Sequence, residues 1–377
     1  MNILILTHSG SLRSTTCVID AIVSESRKNQ YFVGCSEAGE WIDGLEAKHS
    51  HVVTFKTKFN IPDLLAPITF LRDLVQWVKF IKEKKVDVIH VNEHEIYPSI
   101  RYAAFISRTP VVAGIRFRIN EKFAHWLFGG ICKIDRALFT SQDQYKHCIE
   151  GFPAYLKGSR STVIGNGRNY KKMIASIRSD NSAKFIGKLN ISSNPLLIGT
   201  ASSIRPRKRL EDFINIIEAL IKNGNNVIGL IAGGGKYADS DYENMLKVDI
   251  INKQLTKSCL MLGNLDDLSP FYSNLDFFVS TSELETFGMS VSEAMAFGVP
   301  SIGYEGGSVQ EVIGNKDFIV TNGKWNEIVA IIENLIKQPD KYSAASKQQK
   351  ERILNNFDAP ALAAKVEAIY EDIFPNG

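Results

Sequence analysis

The stretch TSELETFGMSVSEAMAFGVPSIGYEGG, Thr281 to Gly307, decides the reading of this 377-residue chain. It follows the apolar run LDFFVS, which reads as a buried strand, and leads into a helix beginning near Gly288 or Met289. Glu285 precedes the helix start and Glu293 lies about one turn inside it, with seven residues between them. Backbone N–H groups at a helix N-terminus lack intrahelical partners and attract anions. Phe287, Gly288 and Met289 would therefore line a phosphate, and Gly288 would let the ligand approach the backbone closely. Carboxylates on either side of such a site accept hydrogen bonds from hydroxyls, Glu293 from a ribose pair and Glu285 from a sugar. An isolated pair of glutamates near a helix start is more often a cap and a solvated face; the surrounding pattern reverses that judgement.

Outward from this stretch, short apolar runs alternate with helical ones. The first half carries NILILT, YFVGCS, HVVTF, VDVIHV, PVVAG and RALFTS; the second carries PLLIGT, VIGLIAG, CLML, LDFFVS, VPSIGY and FIVT. Near-continuous apolarity indicates strands covered on both faces, as in a parallel sheet, and the alternation indicates an α/β chain. The stretch from Pro62 to Lys84 places Leu71, Leu74, Val75, Val78 and Ile81 at helical spacing, and the segment from Asp358 to Phe374 places Leu362, Val366, Ile369 and Tyr370 likewise. Two strand sets predict two Rossmann-like domains, 1–187 and 188–357, joined within the polar stretch from Ser182 to Pro195. Ligands of open parallel sheets sit beyond the C-terminal strand ends, so the expected site is a cleft between two facing sheets.

Lysine plus arginine total 44 against 41 acidic residues, a net charge of +3, which gives no footprint for nucleic acid. Cys17, Cys35, Cys132, Cys148 and Cys259 show neither zinc-ligand nor redox spacing and read as reduced core residues of a cytoplasmic protein. MNILILTHSG reads as a first strand rather than a signal peptide. No run of about 18 apolar residues marks a membrane-spanning helix.

The deciding stretch resembles the signature of glycosyltransferase family four: two glutamates at this spacing, an intervening Phe-Gly, and a following Glu-Ala-Met-Ala-x-Gly-x-Pro. Here these are Glu285, Phe287, Gly288, Glu293, Ala294, Met295, Ala296, Gly298 and Pro300. The resemblance extends to DVIHV before Asn92, VIGNG from Val163 to Gly167, IAGGG from Ile231 to Gly235, and the Gly306-Gly307 turn with Glu311. It implies GT-B architecture, two Rossmann-like domains with a C-terminal helix, here 358–377, crossing back onto the N-terminal domain. It implies a retaining transferase that takes a hexose from a nucleotide sugar, UDP-linked by preference, without a metal or other cofactor. The expected acceptor is a saccharide or lipid-linked saccharide of surface polysaccharide or glycolipid synthesis.

By this resemblance Glu293 would hold the donor ribose, Glu285 the transferred sugar, and Lys208 the leaving diphosphate. The family often has an arginine where this chain has Thr200, so Arg205 would supply that second charge; Arg207 and Arg209 are expected to face solvent. Gly233 and Gly234 would permit close approach of the nucleotide, and Asn264 and Leu265 would lie beside the base. In the N-terminal half the phosphate loop of the family is reduced to Gly10. Where many members carry a histidine, the run VVAGIR places Arg116, a fixed cation suited to an anionic acceptor or the donor phosphate. Arg118 joins it as an acceptor candidate, and Asn92, Glu93 and His94, which follow another strand end, could also hold the acceptor. The run from Arg116 to Lys133 interleaves basic residues with Phe123, Trp126 and Phe128, as a segment contacting an anionic membrane surface would; an ordinary helix with one core face is the alternative. Two other functions stay open, a nucleotide-sugar epimerase of this architecture and a catalytically silent sugar- or nucleotide-binding module.

Overall fold

The computed structural model describes the chain except residues 13, 61–66, 130, 157–159, 178, 190–193, 236–237 and 375–377, and the side chains at 123, 126, 156, 160, 179–181 and 188. It forms two compact units, Met1–Asn169 with Phe357–Gly377, and Tyr170–Asn356.

The first unit holds a seven-stranded sheet of β1 (Asn2–Thr7), β2 (Gln30–Cys35), β3 (Val52–Lys56), β4 (Val88–Val91), β5 (Val111–Ile115), β6 (Arg136–Phe139) and β7 (Arg160–Val163), in the order β3-β2-β1-β4-β5-β6-β7. Every pairing is parallel. Successive strand residues point to opposite faces, and both faces are covered. Ile3 and Ile5 join a core with Val18, Ile22, Leu362 and Val366, while Leu4 and Leu6 join another with Trp77, Ile81 and Ile100. This two-sided burial is why β1 is apolar throughout. The order reverses between β1 and β4, which makes their C-terminal ends the switch point where sheets of this kind take ligands.

The C-terminal helix Ala359–Ile373 lies against the helix Thr16–Glu25 and buries Leu362, Val366, Ile369 and Tyr370. Its Tyr370 hydroxyl shares a hydrogen bond with His90 Nδ1 at the base of the first sheet. Burial lowers His90 to about 3 and His94 to about 4, so both imidazoles are neutral near pH 7.

The second unit holds β8 (Leu196–Ala201), β9 (Val227–Ala232), β10 (Cys259–Gly263), β11 (Phe277–Ser280), β12 (Ser301–Tyr304) and β13 (Ile319–Val320), all parallel, in the order β10-β9-β8-β11-β12-β13. Its helix Leu210–Lys222 buries Phe213, Ile214, Ile217 and Leu220. The chain passes into this unit at Tyr170, ahead of the joint expected at 187/188. Two features draw the intervening residues along: the Tyr170 hydroxyl donates to Ser292 Oγ at 2.8 Å, and Ser182 Oγ donates to Asn274 Oδ1 at 3.0 Å.

Two further expectations are corrected. Strand β7, sequence RSTV, was not among the apolar runs because it is a polar edge strand paired on one side only. In the helix Pro67–Glu83, Leu71 and Val75 are exposed, at 59% and 57%, although they share the apolar periodicity. The face turned to the core is instead set by Trp77 and Ile81, with Leu74 and Val78 packed beside them. Residues 62–66 of that expected helix lie outside the described residues. All five cysteines are buried thiols outside any disulfide, and burial pushes Cys148 up to about 11 and Cys259 up to about 12. Among the described residues no helix is long and apolar enough to cross a membrane.

Candidate functional site

In the second unit, neighbouring strands deliver the candidate donor residues to one edge of the sheet. Lys208 follows β8, Gly233 and Gly234 follow β9, Asn264 follows β10, and Glu285 follows β11. All leave the C-terminal strand ends, where ligands of parallel sheets bind.

Lys208 ends a 3-10 turn, Pro206–Lys208, and is 7% exposed. Its ammonium forms an ion pair with the Glu285 carboxylate. Both backbones are fixed. The Lys208 carbonyl accepts from Thr281 Oγ1 at 2.8 Å, and the Glu285 carbonyl accepts from Ser308 N at 3.0 Å and Ser308 Oγ at 3.1 Å. The Gly306-Gly307 turn holds Glu285 from the other side: a Cβ on Gly306 would sit 2.0 Å from the Glu283 carbonyl oxygen, and one on Gly307 2.1 Å from that of Glu285. A side chain at Gly307 would force the Glu285 backbone to move and one at Gly306 would displace Glu283, which is why the loop needs both glycines.

The helix Met289–Ala296 starts at Gly288, whose φ of 85° is the left-handed conformation that glycine tolerates. Phe287, 4% exposed, is buried beneath that turn. Glu293 lies in the second turn, 6% exposed, with one oxygen accepting from the Tyr272 hydroxyl at 2.9 Å. The Tyr272 ring stacks on Phe297. Nothing in the sequence paired Tyr272 with Glu293; the contact depends on the helix Ser269–Ser273 lying beside the helix that carries Glu293.

Gly233 and Gly234 have φ of 146° and 137°, and a Cβ on Gly233 would lie 1.9 Å from the Ser202 carbonyl oxygen. They form a side-chain-free floor between the ends of β8 and β10. Asn264 is exposed at its margin and Leu265 is half-buried. Thr200 is a buried residue inside β8, 3% exposed, so it does not project from the strand end as an arginine clamp would. Arg205 is exposed at the start of the Lys208 turn, and Arg207 is exposed beside it. Arg209, expected to face solvent, is half-buried and paired with Asp212 at 2.7 Å and Glu283 at 3.2 Å. Its left-handed backbone (φ 47°) turns it back toward Asp212, which also accepts from the Tyr304 hydroxyl at 2.7 Å.

In the first unit the switch point carries a buried polar cluster. Arg116, 8% exposed, donates from Nε to the Asn92 carbonyl at 2.8 Å and from Nη2 to Asn92 Oδ1. Asn92 Nδ2 donates to Glu93 Oε1 at 2.9 Å, as does Thr7 Oγ1 at 3.1 Å. Glu93 Oε2 is buried without a hydrogen-bond partner among the described residues. Burial raises the Glu93 carboxyl above its ordinary range, opposed by the Arg116 charge. Burial likewise lowers the Arg116 guanidinium to about 10, opposed by Glu93. The Arg116 N–H faces His94 Nδ1 at 3.3 Å. Gly114 makes room for this arrangement, since a Cβ there would lie 2.4 Å from the Asn92 carbonyl oxygen.

Thus Asn92, Glu93, His94 and Arg116, all expected near the acceptor, do come together. Arg118 is not part of the cluster; its guanidinium is paired with Asp143. Gly10 is buried against the 37–39 loop, where a Cβ would meet the Glu37 carbonyl oxygen at 2.4 Å, which accounts for the glycine without a ligand.

The chain is similar to several known proteins. Residues 181–352 match the family model of glycosyl transferases group 1. The chain is 23% identical over 367 residues to UDP-Gal:alpha-D-GlcNAc-diphosphoundecaprenol alpha-1,3-galactosyltransferase of Escherichia coli, covering 91% of this chain and 89% of that protein. Its fold is similar to that of Anabaena Alr3699/HepE in complex with UDP, with TM-score 0.80, 21% identity and coverage of 99% and 100%. A glycosyltransferase from Rickettsia africae matches with TM-score 0.84, 18% identity and coverage of 100% and 99%. The architecture is therefore GT-B, and the matches support a group 1 glycosyltransferase.

Proposed function

We propose that this chain is a retaining hexosyltransferase whose Tyr170–Asn356 unit holds a nucleotide-diphosphate sugar, UDP-linked by preference, and whose first unit engages a saccharide or lipid-linked acceptor. The observation that carries the reading is the gathering of Lys208, Glu285, Glu293 and the Gly233-Gly234 floor at one strand edge. The E. coli relative's name, with its UDP-linked donor and diphosphate-linked lipid acceptor, and the UDP bound to the Anabaena protein support the donor and acceptor classes. Surface polysaccharide or glycolipid synthesis is the corresponding setting.

In the proposed reaction the bond from the anomeric carbon to the leaving phosphate oxygen breaks. The acceptor oxygen bonds to the same face of that carbon, and its proton passes to the departing diphosphate. Lys208 neutralises the charge that develops on the diphosphate. Glu285 accepts hydrogen bonds from the sugar, and Glu293, oriented by Tyr272, accepts them from the ribose. No protein nucleophile or metal enters this scheme. Acceptor-free hydrolysis of an α-linked nucleotide sugar, followed by proton NMR, tests it: the sugar released first should be the α anomer, and initial release of the β anomer would refute retention.

A lipid-linked acceptor would bring the chain to the cytoplasmic face of a membrane. Within the segment 116–133 the proposed contact is narrowed to exposed Phe117 and Ile131, at 37% and 75%, because Arg116 and Phe128 are buried and Arg118 is paired with Asp143. The side chains of Phe123 and Trp126 lie outside the described residues. Co-sedimentation with anionic but not neutral vesicles is the expected result, and its absence would remove the contact.

A further inference from the structure

Lys208 and Glu285 belong to adjacent strand ends, β8 and β11, and form an ion pair with each other. Their side chains are 8% and 17% exposed, so water screens the pair poorly. Both side chains start from fixed backbones, so the pair re-forms whenever neither has another partner. The Lys208 backbone is tied to Thr281, and the Glu285 backbone is clamped between Ser308 and the Gly306-Gly307 turn. The two charges of the pair thus cancel each other. A ligand must replace two interactions at once, an anion for Lys208 and hydrogen-bond donors for Glu285.

From this, and resting on the reading of Lys208 as the diphosphate residue and Glu285 as the sugar residue, we infer that the Lys208–Glu285 pair makes the site discriminate intact donor from spent nucleotide. A diphosphate alone takes Lys208 from Glu285 and leaves a mostly buried carboxylate without compensation. A nucleotide sugar supplies the diphosphate and the hydroxyls together, so both charges remain satisfied. Once the sugar has been transferred, Glu285 loses its hydroxyl donors and competes again for Lys208, which displaces the diphosphate. The pair favours donor entry over product retention without any change in fold.

The test is titration of the full chain with inorganic pyrophosphate, which carries no base or sugar, and with UDP. Glu285→Gln keeps the shape and removes the charge, and should bind pyrophosphate about tenfold more tightly than the parent, the scale of one charge-assisted hydrogen bond. Glu285→Asp, which withdraws the carboxylate from the ammonium, should shift affinity in the same direction by less, and serves if the glutamine variant melts early. Two controls separate the pair from a general loss of negative charge. Glu283→Gln alters an exposed glutamate of the same loop, paired with Arg209, and should change affinity less than twofold. In a Lys208→Met background, Glu285→Gln should give no tightening. Equal or weaker binding by Glu285→Gln and Glu285→Asp would overturn the inference, as would the same tightening in either control. If neither pyrophosphate nor UDP binds the parent or any variant, the donor-site reading itself falls, and the inference with it.

Discussion

Lys208→Met is expected to lower turnover of the nucleotide-sugar donor by about 10²–10³, the usual effect of removing one charge that stabilises a leaving group. The residue is placed for a large effect. It is 7% exposed, it ends a turn whose geometry is fixed by the Arg205-Pro206 entry, and its carbonyl is anchored by Thr281. Its basic neighbours are poor substitutes: Arg209 is committed to Asp212 and Glu283, while Arg205 and Arg207 are exposed. Loss of the ammonium would also leave Glu285 without its counter-charge. Both donor hydrolysis and transfer should fall together, because each breaks the same bond to the diphosphate. A variant within a few-fold of the parent rate would place the leaving-group charge elsewhere.

Arg116→Ala is expected to destabilise the first unit by about 3–5 kcal/mol at neutral pH, the cost of leaving a buried charge cluster without its cation. Arg116 ties the end of β5 to that of β4 by donating to both oxygens of Asn92, and its charge is the main influence opposing burial at Glu93. The effect carries a pH signature. Burial holds the folded Glu93 carboxyl above its unfolded value, so the stability linked to its proton is present below the unfolded value and is lost as pH rises through the folded one. Without Arg116 that loss deepens, so the difference between variant and parent should shrink toward acid and grow toward neutral pH. Denaturant or thermal melts of the full chain, following the transition of the first unit, measure it. A change below about 1 kcal/mol across that range would show that Arg116 is replaceable, contrary to its place in the cluster.

The contrast between these residues shows what was legible in the sequence. Every apolar run named at the outset became a strand, because strands buried on both faces must be apolar. Strand β7 escaped because RSTV carries one apolar residue, Val163, and so shows no apolar run. Glu285 and Glu293 were legible because the strand–turn–helix order fixes their spacing, and Lys208 because it follows the first strand of its unit. Tyr272 was not, since its pairing with Glu293 comes from helix packing across residues distant in sequence. Arg116 was identified as a departure from the family histidine, but a fixed cation in a loop reads as exposed until the Asn92 carbonyl and Glu93 are seen around it. Arg118, two residues on, looks equivalent in sequence and is instead held by Asp143. The passage between units was misplaced for a related reason: the short polar helices Tyr170–Ala175 and Ser179–Lys188 carry little apolar pattern, and single hydrogen bonds to the second unit mark where they belong.

The central claim is that the Tyr170–Asn356 unit binds a nucleoside diphosphate through Glu293. The most direct measurement is the thermal shift of the parent chain and of Glu293→Ala with UDP, GDP and ADP at millimolar concentration. One nucleotide, UDP by preference, should raise the melting temperature of the parent and leave that of the variant unmoved. No shift of the parent by any of the three, or a shift that survives in full in Glu293→Ala, would contradict the account.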